Sequence, residues 1–245
     1  MRINKFLSEA GVCSRRAGDR AIAQGRVTIN EKIAVLGDTV ESTDTVCFDG
    51  KPVTREDPPV LIAFHKPVGI VCTSSSEDPD NIIDFLHYPV RIYTAGRLDK
   101  DSEGLILLTN QGDLVNKIMR AGNFHEKEYI VSVRKPITEA FIKGMANGVY
   151  LKELDVTTRP CKVAKLSDTS FRIILTQGYN RQIRRMCKAL SNSVVTLKRI
   201  RIMNIRLGDL KVGEYRDLTA EEWTELQEGL KHSYSTPVSE QKSGE

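Results

Sequence analysis

The apolar residues of this chain come in short runs. Val60–Phe64 and Leu105–Leu108 are among the longest, and neither approaches the roughly 20 residues of a membrane-spanning helix. Such runs can only become short strands and helices around a shared core. Hydrophobic residues are 40% and charged residues 28% of 245, which is enough for a normal core and excludes a chain disordered throughout. That length accommodates one large domain or two unequal ones. Arg2 and Lys5 open the chain, but Glu9, Arg15, Arg16 and Asp19 interrupt any apolar stretch behind them. A secretory signal is therefore not expected. The pattern predicts a soluble, cytoplasmic protein with no membrane partner.

Residues 1–55 read as a compact module. Asn4–Ala10 has the pattern of a helix stopped at Gly11, and Ser14 is placed to cap a second helix over Arg15–Gln24, stopped by Gly25. Val27–Ile29 alternates like a strand, Asn30-Glu31 makes a turn, Ile33–Val35 returns, and Val40 and Val46–Phe48 complete a β-rich end. Pro52 and Arg55-Glu56-Asp57-Pro58-Pro59 then read as a stiff linker, centred on 56–59.

A larger domain is expected over 60–232. Its strands are predicted at Val60–Phe64, Ile70–Thr73, Leu105–Thr109, Tyr129–Val133, Phe171–Thr176 and Val194–Ile202. Its helices are predicted at Asn81–Leu86, Leu114–Met119, Thr138–Ala146, Arg181–Leu190 and Ala220–Lys231, the last opened by a capping box at Thr219 and Glu222. The two kinds of element do not alternate regularly, so the fold class is α+β rather than a doubly wound sheet. Residues 233–245, rich in Ser, Lys and Glu, are expected to be a disordered tail.

The side chains narrow the chemistry. Five cysteines, Cys13, Cys47, Cys72, Cys161 and Cys187, are odd in number and lack any Cys-x-x-Cys pair. They read as reduced, small hydrophobes rather than disulfides or zinc ligands. His65, His87, His125 and His232 are equally scattered, so no metal site is expected. Net charge is only +4, from 36 basic and 32 acidic residues, but it is segregated. No acidic residue lies between Asp168 and Asp209, a stretch holding nine basic ones. Residues 1–32 add seven basic against three acidic, while Glu221, Glu222, Glu225 and Glu228 make the last helix acidic. Two separate basic regions favour a nucleic-acid partner over a merely solvated surface.

The segment Tyr93–Thr109 is the most informative. Gly96 and Gly104 bracket a polar loop that runs into an apolar strand, which places Asp99 on a loop held by rigid structure. From the residues alone it is either a catalytic carboxylate or part of an Asp-rich turn with Asp101 and Ser102. Taken further, Gly96-Arg97-Leu98-Asp99 with Ser102, Gly104-Leu105 and Leu108-Thr109 resembles the signature loop of pseudouridine synthases. The branch resembled is the one that modifies bacterial ribosomal RNA one uridine at a time. Lys66-Pro67-x-Gly69 resembles its Lys-Pro-x-Gly turn, although His65 stands where the family usually has Asn. Glu126-Lys127-Glu128-Tyr129 resembles the segment bearing its active-site tyrosine, and Gln177–Met186 resembles its basic motif. The N-terminal module resembles the S4-type RNA-binding domain.

The resemblance spans residues 1–232 and implies an S4-like domain followed by a catalytic domain with a largely antiparallel sheet and flanking helices. It implies an isomerisation: the bond from uracil N1 to ribose breaks, the base turns, and it rejoins through C5. No cofactor is required, in keeping with the absence of a Gly-rich phosphate loop or dinucleotide fingerprint. Asp99 is the implied catalytic carboxylate, attacking the sugar or taking its 2′ proton, with Arg184 as its basic partner. Tyr129 would stack on the uracil, and Arg97 would enter the helix stack when the base leaves it. Without the family, Tyr129 is a half-buried strand aromatic and Arg184 a helix charge beside apolar Ile183 and Cys187. A uridine inside a duplex must be flipped out at a cost of a few kcal/mol, offset by phosphate contacts from residues such as Arg181 and Arg185. Arg2, Lys5, Arg15, Arg16 and Arg20 are placed to meet phosphates, with Arg15 and Arg16 at a helix start.

The expected partner is ribosomal RNA, with 23S first, free or within an assembling subunit, and the expected state is a monomer. Small-subunit ribosomal RNA and transfer RNA are the alternative targets. A non-catalytic RNA-binding factor is a rival, opposed by the intact motif set. A base-removing glycosidase is another, but it needs two working carboxylates, of which Asp101 would be the second.

Overall fold

A computed structural model describes residues 1–54, 58–75 and 77–235. Arg55, Glu56 and Asp57 of the expected linker, and 236–245 of the expected tail, lie outside the described residues. The chain divides into two compact units: residues 1–60 with 88–91 and 110–112, and the remainder.

The first unit holds α1 (Ile3–Glu9), α2 (Arg15–Ala23), β1 (Val27–Ile29), β2 (Lys32–Ile33), β3 (Val46–Phe48) and β4 (Lys51–Pro52). Ser14 Oγ accepts the Ala17 N–H at 3.2 Å, and left-handed Gly25 follows the end of α2. Ile3, Leu7, Ala21 and Ile22 share a core with Val27, Val40 and Val46. Asn30 and Glu31 are both left-handed, as a tight hairpin turn requires. The returning strand stops at Ile33 rather than Val35, because the Val35 N–H donates to Asp38 Oδ2 at 2.8 Å instead of to a neighbouring strand. Arg2, Arg15, Arg16 and Arg20 are exposed, and Lys5 pairs with Glu9 one helical turn away.

The second unit runs through β5 (Leu61–Lys66), α3 (Ile82–Leu86), β6 (Tyr93–Ala95), β7 (Glu103–Thr109), α4 (Gly112–Met119), β8 (Lys127–Val133) and α5 (Glu139–Ala146). It continues with β9 (Tyr150–Leu151), β10 (Val156–Thr157), β11 (Lys162–Lys165), β12 (Ser170–Leu175) and α6 (Gln182–Ala189). It ends with β13 (Val194–Ile202), β14 (Ile205–Arg206), β15 (Tyr215–Asp217) and α7 (Ala220–Gly229). The main sheet has the order β11-β12-β8-β13-β7-β5-β15, with β6 beside β7 and β14 beside β13. Its pairings are antiparallel except β13 with β7. Leu105 and Leu107 of β7 face a core shared with Ile118 of α4 and Leu226 of α7, while Ile106 and Leu108 are buried on the other face. The Thr219 capping box is present, with Glu222 N–H to Thr219 Oγ1 at 3.2 Å and Thr219 N–H to Glu222 Oε2 at 3.0 Å.

The strand expected at Ile70–Thr73 is absent. Val71 makes one isolated bridge to Asn81, and the Thr73 N–H turns back to the Val71 carbonyl. Three residues of the expected tail are hydrogen-bonded: Tyr234 exchanges two bonds with Asn123, Ser233 meets His125, and the Ser235 carbonyl accepts from Arg120.

Gly104 is where the fold sets up its functional loop. It is the second residue of β7, with φ of +115°, and a Cβ there would lie 2.3 Å from the Arg199 carbonyl oxygen of parallel β13. Gly104→Ala is expected to destabilise the protein by about 2–5 kcal/mol, from left-handed strain plus overpacking against backbone. Chemical denaturation measures this, and a loss below about 1 kcal/mol would show that β7 and β13 can part freely.

Candidate active site

The loop between β6 and β7 carries Arg97 and Asp99 and is held from three sides. The Ser102 N–H donates to the Asp99 carbonyl at 3.0 Å, closing a turn. Leu98 is buried between exposed Arg97 and partly exposed Asp99, so it anchors the loop while its neighbours face outward. The third hold is the Lys66–Gly69 turn. Lys66, fully buried, donates from Nζ to the Ser102 and Pro67 carbonyls, each at 2.8 Å, and the Gly69 N–H donates to the Lys100 carbonyl at 2.7 Å. Burial pushes the Lys66 ammonium below its usual pKa. The two sequence motifs are thus one structural unit. His65 stays in β5, buried, with Nδ1 2.7 Å from the Leu210 carbonyl.

The basic motif approaches from the N-terminus of α6. Arg181 is left-handed, with φ of 52°, and opens the helix. Its guanidinium grips Asp101 at 3.0 Å and reaches Asp99 Oδ2 at 3.6 Å. Arg184, 14% exposed, donates to the Asp101 carbonyl at 2.9 Å and to Ser102 Oγ at 3.1 Å, and pairs with the Asp101 carboxylate at 3.2 Å. Burial raises the Asp101 pKa, but the Arg181 hydrogen bond and the charges of Arg184 and Arg181 outweigh it and hold the carboxyl below the usual range. The guanidinium nearest Asp99 is therefore Arg181, which the sequence placed among phosphate ligands, while Arg184 fixes the loop through Asp101 and Ser102. Arg185 turns away to the Asn180 carbonyl and Glu153.

A cleft of about 650 Å³ lies over this assembly, lined by Arg97, Asp99, Tyr129, Arg181 and Arg184 among others. Tyr129, 9% exposed, enters from β8. The same wall also carries Lys127, Arg199 and Gln177, which the sequence did not single out. Asp99 is the sole acidic residue among the described residues of the lining, against the cations Arg97, Lys100, Lys127, Arg181, Arg184 and Arg199. A positive cleft with one carboxylate suits a polyanionic substrate. It does not suit the glycosidase reading, since Asp101 lies outside the lining and is tied up by Arg181 and Arg184.

Residues 60–189 match the family described as RNA pseudouridylate synthase, and residues 1–46 match the S4 domain. The chain belongs to the RNA pseudouridylate synthase family. It is 55% identical over 227 residues to the dual-specificity RNA pseudouridine synthase RluF of Salmonella typhi, covering 92% of this chain and 78% of that protein. Against the protein of the same name from Escherichia coli K12 it is 52% identical over 238 residues, covering 96% and 81%. The ribosomal small subunit pseudouridine synthase A of Pasteurella multocida is 34% identical, covering 91% of this chain and 97% of that one. A crystal structure of a pseudouridylate synthase superposes with a TM-score of 0.68 at 33% identity, covering 92% of this chain and 99% of that one. This synthase accordingly pairs an RNA-binding S4 domain with an α+β catalytic domain and acts on RNA. Among its described residues no helix is long and apolar enough to cross a membrane.

Proposed function

We propose that this synthase converts one uridine of 23S ribosomal RNA to pseudouridine, in the cytoplasm and as a monomer, with Asp99 as the essential carboxylate. The observation that carries the reading is Asp99 itself, the single acidic residue among the described residues lining a basic cleft that also holds Tyr129, Arg181 and Arg184. The positive wall draws the RNA backbone in, and Tyr129 offers a ring to a base that has left its stack. Arg97, exposed at the cleft edge, is free in position to occupy the space the base vacates. Arg184 keeps the Asp99 loop in register through Asp101 and Ser102. Residues 1–55 serve as the second RNA contact, through Arg2, Lys5, Arg15, Arg16 and Arg20, and 60–232 carry the chemistry.

The dual specificity in the name of the RluF relatives favours a second RNA target besides the first. Mapping pseudouridines in total RNA from cells with and without the gene tests both points. The expected result is loss of a 23S site, restored by the wild-type gene. An unchanged 23S map with a site lost elsewhere would transfer the assignment to that RNA.

A further inference from the structure

Two buried cations of the cleft wall take no part in the ion pairs around Asp99. Lys127 is 3% exposed and Arg199 1%, yet both line the cleft. Strand alternation sets Lys127 on the same face of β8 as Tyr129, and the register sets Arg199 of β13 opposite Tyr129. Lys127 Nζ donates to the His125 carbonyl at 3.2 Å, and Arg199 Nε donates to the Leu105 carbonyl at 2.7 Å. The buried Arg199 Nη2 has no hydrogen-bond partner among the described residues. Neither residue has a carboxylate partner among the described residues.

The titratable groups that face Lys127 are Arg199 from β13, which is charged, and His125 from the turn before β8, while β12 places Leu175 opposite it. Burial, and then the like charge of Arg199, lower the Lys127 pKa to about 8. Burial and then Lys127 lower that of His125. Two desolvated like charges with donors to spare are costly in an empty cleft. A small anion seated between them removes that cost.

We infer that Lys127 and Arg199 form an anion site for the heterocycle, holding the negative charge that uracil carries once it has left the ribose. The inference rests on reading the Asp99 cleft as the reaction centre. When the N1–C1′ bond breaks, its electron pair stays on the base, and the charge spreads over N1, O2 and O4. Lys127 donates to one carbonyl oxygen of the base, and Arg199 Nη2 supplies a second donor to the charged ring. C5 then bonds to C1′, the C5 proton leaves to a base, and N1 gains a proton. The step is a pure isomerisation and consumes no oxidant, reductant or co-substrate. Fixed donors aimed at developing charge act strongly in such a water-poor place. An RNA phosphate is the other anion that two cations attract, but both groups lie on the buried wall rather than at an exposed rim.

The test is single-turnover cleavage by wild type, Lys127→Met and Lys127→Arg, on RNAs carrying uridine or 5-fluorouridine at the target. Loss of the original nucleoside is followed by digestion and chromatography, and RNA affinity is measured beside it. Fluorine withdraws electrons and stabilises the departing anion by itself, so the fluorinated base depends less on Lys127. Lys127→Met is expected to slow uridine cleavage about 10²–10³-fold with near-normal RNA affinity, and to slow 5-fluorouridine cleavage about tenfold less than that. Lys127→Arg should recover most of the uridine rate. In addition, wild-type kcat/KM should fall as pH rises through about 8, where Lys127 loses its proton in the free enzyme, and Lys127→Arg should lack that limb. Equal slowing of both bases overturns the inference, as does lost RNA affinity with unchanged cleavage, the signature of a phosphate anchor. Should Lys127→Met fail to fold, an unchanged alkaline limb in Lys127→Arg overturns it alone. Asp99→Asn separates the two readings: turnover surviving that change means that the cleft is not the reaction centre, whatever Lys127 does.

Discussion

Purified Asp99→Asn should fold, bind RNA and form no pseudouridine. The substitution keeps the size and one carbonyl oxygen of the side chain and removes its charge and nucleophilicity. Its structural consequence is small. The 3.6 Å contact from Arg181 to Asp99 weakens, but the 3.0 Å grip on Asp101 and the Arg184 bonds to Asp101 and Ser102 still hold α6 to the loop. Asp99 is 30% exposed at its side chain, so little packing changes. The catalytic consequence is large, since losing a nucleophile or base of this kind costs about 10⁴-fold or more in rate. Release of tritium from RNA labelled at uracil C5 reports each turnover, provided that the protein comes from a host lacking its own enzyme of this kind. Turnover within about tenfold of wild type would remove Asp99 from the chemistry.

Much of the fold is legible in the residues, and the reasons differ by element. Ser14 and Gly25 bound α2 through local chemistry, and the long run Val194–Ile202 forms β13 over the expected residues. Thr219 and Glu222 announce α7 three residues apart. The strands that escape notice lie at edges. Lys162–Lys165 and Tyr215–Asp217 have solvent on much of their surface and need no apolar alternation. Ile70–Thr73 fails in the opposite direction: it has the β-rich composition, but Gly69 at φ of +96° and the turn at Thr73 leave it no partner strand.

The site is legible in its parts and not in its pairings. The motifs name Asp99, Tyr129 and Arg184, but which arginine meets which carboxylate depends on the left-handed start of α6 at Arg181, some 80 residues from the loop. No local signal in Asn180-Arg181-Gln182 carries that. Lys127 is a different case. Its spacing of two from Tyr129 places both on one face of a strand, a relation the sequence does contain. What the sequence lacks is its burial, which depends on β12 and β13 closing on either side of β8.

Tyr129→Ala should weaken capture of the flipped base by about 5- to 150-fold, the worth of one base–aromatic stack. Tyr129→Phe then separates the ring from its hydroxyl. Tyr129 is 9% exposed on β8 with Arg199 opposite it in register, so a phenyl ring in its place keeps both the packing and the plane. The alanine variant opens a cavity as well, and a melting curve must accompany it. If the hydroxyl only orients the base, Phe binds and turns over with modest loss. If it relays the proton at C5, Phe binds and cleaves normally but loses product formation by about 10²–10⁴-fold, the usual worth of a positioned acid or base. Single-turnover product formation beside the yield of complex trapped with 5-fluorouridine RNA distinguishes the two, because trapping needs capture and cleavage but not the final proton transfer. Wild-type rates and yields for both variants would make Tyr129 an aromatic of the strand and nothing more. The cleft would then have to hold its base by other residues of its lining, Tyr179 and Leu197 among them.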